Sequence, residues 1–257
     1  MNNKKEYHLI WFQHLHKSAG TFIVNMAITN GELLFNKHNN GNPTNQEGDL
    51  LPIWEYNKIE LLDFINRCEE AGVTFVATEY GSPDFEFLSN DPRITLITCI
   101  RDPKKRMISN YNYDYYSGYT DEKSIAEFIE VPNVYTSDNY YVRVFSRTTS
   151  IPLKKLTEFD FQMAVKNIGM FDITIKTGHN NLEKKLFESF GWDKLSNNNH
   201  STFGDKWRII NLIKRLQFIR LINYIKQKNM VIDESCLNNR FDLDYKLLSM
   251  IIDSDVS

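Results

Sequence analysis

The chain has 257 residues and a formal net charge of −3, enough length for one sizeable core. That charge argues against a general nucleic-acid binder and, more weakly, against a polyanionic glycan as partner. The three cysteines, Cys68, Cys99 and Cys236, are too few and too scattered for a disulfide framework, and no His/Cys spacing suggests zinc.

Met1 to Glu6 is polar and leads directly into a strand-like run, with no signal-peptide region and no apolar stretch long enough to cross a bilayer. The expectation is a cytoplasmic protein without stable membrane insertion. Tyr7 to Leu15 reads as a buried strand, His16 to Gly20 as a loop and Thr21 to Thr29 as a helix. Gly31 to Leu51 is rich in Asn and Gly and reads as a long loop. Ile59 to Ala71 has helical spacing; Val73 to Thr78 and Ile94 to Ile100 are short strands. Pro103 stands at the favoured first position of another helix. Ser124 to Ile129, Asn139 to Phe145, Phe161 to Ile168 and Asn181 to Phe190 read as helical. Lys206 to Lys228 reads as one long amphipathic helix, and Asp242 to Ile252 as the last. No linker composition divides residues 1–257, so a single domain is expected. Strands alternating with helices predict an α/β fold, a mostly parallel sheet with helices on both faces.

Two segments carry chemistry. In the first, His14-Leu15-His16-Lys17-Ser18-Ala19-Gly20-Thr21, a strand ends, a small-residue loop turns and a helix begins. Loop N–H groups and a helix N-terminus attract an anion, Ala19-Gly20 allows close approach, and Lys17, Ser18 and Thr21 add donors. The segment lacks the full phosphate loop of a nucleotide triphosphatase; a plain tight turn with a surface lysine is the alternative. In the second segment, Arg101 ends a strand, where open α/β sheets bind ligands, and Ser109 follows two helical turns on. Together they can meet one phosphate as a bidentate fork plus a hydroxyl. For Arg101 alone, an ion pair with Asp102 is the alternative.

The first segment resembles the His-x-Pro-Lys-[Thr/Ser]-[Ala/Gly]-Gly-Thr pattern of sulfotransferases of the heparan sulfate 2-O-sulfotransferase-like branch. The run from Arg101 through Asp102, Pro103, Arg106 and Ser109 to Tyr111 resembles that family's Arg-Asp-Pro-x-x-Arg-x-x-Ser-x-Tyr pattern. Asn139 to Arg143, Phe161 to Asp172 and Leu243 to Tyr245 are similar to its later elements. The resemblance implies a P-loop-like sulfotransferase fold and the donor 3′-phosphoadenosine 5′-phosphosulfate (PAPS). It implies that Lys17, Ser18, Ala19, Gly20, Thr21 and Phe22 hold the 5′-phosphosulfate and that Arg101 and Ser109 hold the 3′-phosphate. His16 departs from the family's Pro: either the loop is less rigid here or the imidazole is recruited to the site.

Sulfuryl transfer needs in-line geometry and charge stabilisation; no metal is expected, since the transferred group carries less charge than a phosphoryl group. Lys17 would stabilise the departing phosphate oxygen. The candidate bases are Glu79, which follows a strand as the catalytic carboxylate of related sulfotransferases does, and His14 and His16 beside the donor loop; Glu79 is favoured. Asn110 to Tyr119 is dense in tyrosine, includes Asp114 and is a candidate lining for an acceptor pocket; most of its rings are expected to pack the core, while some suit a cationic guest. Asn197 to Ser201 could close over the nucleotide. The basic helix could touch a membrane surface or an acidic partner, though a core helix with a solvated face is the blander reading.

The leading expectation is therefore a sulfotransferase acting on a hydroxyl or amine of a small molecule, such as a natural product of the guanidinium-alkaloid kind, as monomer or homodimer. A glycan or lipid-linked saccharide sulfotransferase, a P-loop small-molecule kinase and a non-catalytic nucleotide-binding module are the alternatives.

Overall fold

The computed structural model describes residues 7–131, 133–177, 182–194 and 206–254. The elements run β1 (Leu9–Gln13), α1 (Gly20–Thr29), a two-stranded hairpin β2 (His38–Asn39) and β3 (Asn42–Pro43), α2 (Lys58–Ala71), β4 (Phe75–Thr78), α3 (Phe85–Ser89), β5 (Ile94–Ile100), α4 (Pro103–Ser117), α5 (Ile125–Phe128), α6 (Tyr140–Ser146), α7 (Glu158–Ile168), β6 (Ile173–Lys176), α8 (Leu182–Phe190), α9 (Lys206–Lys214), α10 (Phe218–Ile225) and α11 (Asp242–Ser254). The fold is α/β, with a four-stranded parallel sheet in the order β4-β1-β5-β6.

β1, β4 and β5 are buried on both faces, which is why they read as unbroken apolar runs, while the edge strand β6 is only partly buried. Leu9 and Trp11 of β1 point to one side, into a core shared with α2, α6, α7 and α11. Ile10 and Phe12 point to the other, against α1, α8 and Trp192. Truncating a ring such as Phe12 to alanine costs about 3–5 kcal/mol at sites of this kind. A third apolar cluster, around Met107, Tyr111 and Tyr116, joins α4 to α5, α9 and α10.

Local signals set the helix ends. Asn57 caps α2 and Glu60 reaches back to the Asn57 N–H at 2.8 Å, while Gly72 ends the helix at φ 69°. Asp102 accepts from the Lys105 N–H at 2.9 Å and caps α4, which Pro103 opens and Gly118 closes. Asp102 is thus a cap rather than an ion-pair partner of Arg101.

Two expectations change, and one short helix was not expected. The run from Lys206 to Lys228 is two helices, not one: Leu216 turns left-handed at φ 56° and breaks it between α9 and α10. The long loop from Gly31 contains the β2–β3 hairpin, with Asn40 and Gly41 at positive φ. The short helix α3 gave no periodic signal over its single turn. Asn181 and the loop Asn197 to Ser201 lie outside the described residues. No helix among the described residues is long and apolar enough to cross a membrane.

Candidate functional site

β1 and β5 are neighbours, so their carboxyl ends deliver two loops side by side. The first runs from His14 to Gly20. Lys17 and Ala19 both sit at positive φ, 61° and 62°, with Ser18 between them. Alternation of this kind turns successive N–H groups toward one side, the geometry of an anion nest. It is costly for non-glycine residues and persists only where the surroundings enforce it. Here α6 does so. The Tyr140 hydroxyl accepts from the His16 N–H at 3.1 Å. The Tyr141 hydroxyl donates to the Arg101 carbonyl at 2.6 Å, accepts from the Arg101 N–H at 3.2 Å and lies 3.3 Å from Ser18 Oγ. One phenol thus ties the first loop to the end of β5.

Helix α1 follows at once. Its first turn closes with a bond from the Ile23 N–H to the Ala19 carbonyl at 3.1 Å, and the N–H groups ahead of Ile23 are those that a helix leaves without an internal acceptor. Thr21 is half-buried at this end, its Oγ1 accepting from Asn40 Nδ2 at 3.3 Å; Phe22 packs partly into the core beneath α1. Ser18 is fully buried, so its hydroxyl faces Tyr141 and braces the loop from inside. Gly20 meets a different need from backbone access: a Cβ there would collide with the His14 imidazole.

Arg101 extends from the end of β5, and its Nη1 donates to the Lys17 carbonyl at 3.4 Å. Ser109 stands half-buried on α4, two turns on. Lys17 Nζ lies 3.9 Å from the centre of the Tyr113 ring, and the Arg208 guanidinium lies 4.6 Å from it. Burial, then the nearby Arg208 charge, brings the Lys17 ammonium down to about 8, against the opposing pull of Asp114 and Glu79. Burial raises Asp114 to about 6, with Lys17 pulling it the other way. Tyr111, Tyr115 and Tyr116 are buried core rings, whereas Tyr113 is half-buried and Tyr119 exposed, their ring centres 5.9 Å apart. Tyr113 already carries two of the protein's own cations.

Glu79 follows β4, on the other side of β1. Each of its oxygens faces a histidine. His16 Nδ1 is 2.8 Å from Oε1; His14 Nδ1 is 3.1 Å from Oε2, close enough for an ion pair but outside hydrogen-bond alignment. Burial pushes the Glu79 carboxyl up, but the two imidazoles outweigh it and hold it well below the carboxylate range. Burial holds His16 below its ordinary value, although Glu79 pulls it upward. His16 Nε2 lies 2.9 Å from Asn110 Oδ1, and its ring packs against Tyr135 at 4.6 Å. A small cleft opens beside Glu79, lined by Gln13, Tyr80, Ser82, Tyr135 and Thr149 among others. Among the described residues no group of three or more His, Cys, Asp or Glu side chains is arranged to hold a metal ion.

The structure thus brings His14, His16, Lys17, Glu79 and Arg101 to one rim of the sheet. Asn110 and Tyr113 lie in the run read as a candidate acceptor-pocket lining, without being singled out within it, and Tyr140 and Tyr141 were not read as site residues. Their signal was faint: a Tyr-Tyr pair and an Asn inside helices that also read as core. Comparison with family models and with curated proteins finds no match.

Proposed function

We propose that the chain is a PAPS-dependent sulfotransferase with a P-loop-like sulfotransferase fold, acting on a hydroxyl of a small acceptor. The observation that supports it best is the 3.4 Å contact between Arg101 Nη1 and the Lys17 carbonyl, because it makes two cationic loops into one binding rim. A bisphosphorylated nucleotide needs two anion sites a nucleoside apart, and a nest at a helix N-terminus beside a strand-end arginine supplies both.

In the proposed reaction the acceptor oxygen attacks sulfur. An S–O bond to the acceptor forms as the S–O bond to the 5′-phosphate breaks, and the electron pair leaves on that phosphate. Lys17 and the α1 N–H groups meet the charge that develops there. The acceptor proton goes to His16 Nε2, the nitrogen left unprotonated while Nδ1–H donates to Glu79, with the Asn110 amide turning aside; burial lowers the His16 pKa and so favours this neutral form. Glu79 is held too acidic to take that proton and orients His16 instead, a role that departs from the sequence-based preference for Glu79 as base. His14 would position Glu79 and pack over Gly20. The small cleft beside Glu79 marks the side from which an acceptor hydroxyl would approach. Since Tyr113 already holds Lys17 and Arg208, a neutral acceptor suits the site better than a cationic one.

Titration calorimetry with 3′,5′-adenosine diphosphate tests the reading. Binding in the micromolar range is expected, weakened at least tenfold in Lys17→Ala and in Arg101→Ala. No heat with this nucleotide, alongside tight magnesium-dependent ATP binding, would overturn it in favour of a kinase. His16→Gln should abolish transfer while leaving nucleotide affinity intact; Glu79→Gln should slow it less.

A further inference from the structure

The segment from Lys206 to Lys228 is chemically unlike the rest of the chain. It holds seven basic residues and no acidic one, so the remainder of a chain of net charge −3 stands at −10. Within it, every third residue from Ile210 to Ile225 is a large aliphatic: Ile210, Ile213, Leu216, Ile219, Ile222 and Ile225. All six are 47–77 % exposed.

In one continuous helix a spacing of three drifts by about 60° per step, and Ile219 would stand opposite Ile210. The left-handed Leu216 interrupts the helix, so the exposed aliphatics belong to two separate helices, Ile210 and Ile213 to α9 and Ile219, Ile222 and Ile225 to α10. Both halves keep a separate inward face: Leu212 and Tyr224 are buried against α4 and its neighbours. The inner surface is also held by polar contacts. Arg220 donates to the Thr120 carbonyl at 2.9 Å and pairs with Asp121 at 3.2 Å, and Arg215 bonds the Gly118 carbonyl. These exposed aliphatics are therefore surplus to the packing of the two helices, and Val231, beyond α10, is 95 % exposed. Lys206, Lys214, Lys226 and Lys228 are exposed beside them.

We propose that α9, α10 and the bend between them form a docking surface for an anionic lipid bilayer. Aliphatic side chains flanked by lysines match the acyl–headgroup boundary, where apolar groups enter and ammonium groups stay with the phosphates. Charge argues against a second copy of the chain as occupant. Two such faces in contact would oppose their cations without a single carboxylate from the segment. The charge split also orients the molecule, basic helices toward the membrane and acidic body away.

Vesicle co-sedimentation tests this independently of nucleotide binding. The full chain should bind vesicles of phosphatidylcholine with about 30 mol % phosphatidylglycerol and not pure phosphatidylcholine, and raised salt should release it. Ile219→Asp with Ile222→Asp, and separately Lys214→Glu with Lys226→Glu, should each lower binding at least tenfold with an unchanged melting temperature. Leu216→Ser serves if either pair fails to fold. Absence of anionic-vesicle binding, or binding indifferent to all these variants, overturns the proposal. So does a dimer dissociated by Ile219→Asp, which would assign the face to a second copy, or capture of an acidic protein with no affinity for vesicles.

Discussion

The His14 imidazole fills the space into which a side chain on Gly20 would grow. This contact makes the start of α1 and the Glu79 cluster a single unit, because the ring that excludes a Cβ at Gly20 also faces Glu79 Oε2. Gly20→Ala should therefore displace His14 and destabilise the fold by about 1–3 kcal/mol. Gly20 has no positive φ, so backbone strain does not enter. Adding His14→Ala should recover most of the stability, measured by urea unfolding. A single Gly20→Ala variant as stable as the parent would disprove the contact.

Nucleotide affinity should fall as pH rises through about 8. Free Lys17 titrates near there, below the ordinary 10.5, and an anion binds its ammonium form, so binding is linked to proton uptake. Affinity should be level at lower pH and decline above it. Lys17→Arg, which stays charged, should flatten the profile in calorimetry between pH 6.5 and 9.5, on the order of the window set by these values.

Tyr141→Phe keeps the ring and removes the hydroxyl that holds both backbone groups of Arg101. A loss of about 1–3 kcal/mol is expected, since a buried N–H and C=O lose their partner. The proposed site should also loosen, with weaker binding of 3′,5′-adenosine diphosphate. Unchanged stability and affinity together would refute this bracing role.

Asp244 is fully buried; its Oδ1 accepts from the Val142 N–H at 3.0 Å, and Oδ2 has no hydrogen-bond partner among the described residues. Burial raises its carboxyl from 3.8 to about 7, against the opposing bonds from the backbone and the Arg106 charge. The unfolded chain releases this proton first, so stability is fully present below about pH 4 and drains away as pH rises to about 7, by about 4 kcal/mol at most. Asp244→Asn should lose that dependence. The stability gap between variant and parent should widen from pH 4 to 7 and then stay constant.

Much of the frame was legible. The apolar runs of β1 and β5 marked buried strands, and Pro103 marked the start of α4. Both cationic loops followed from that. The clustering of Glu79 with His14 and His16 was not legible, because it depends on β4 lying beside β1, a matter of strand order that no local pattern encodes. The break at Leu216 was hidden for the opposite reason: the apolar rhythm continues through it, and neither glycine nor proline announces it. The same periodicity in the Asn110 to Tyr119 run could not separate Tyr113, facing Lys17, from its buried neighbours.

The position of β1 between β4 and β5 has a consequence for biosynthesis. Its register partners lie far downstream, Ile10 against Phe75 on one edge and Leu9 against Ile94 on the other. As the polypeptide leaves the ribosome, this aromatic strand waits unpaired through most of the first hundred residues. Ribosome-tethered intermediates shorter than β5 should accordingly be the ones that chaperones hold.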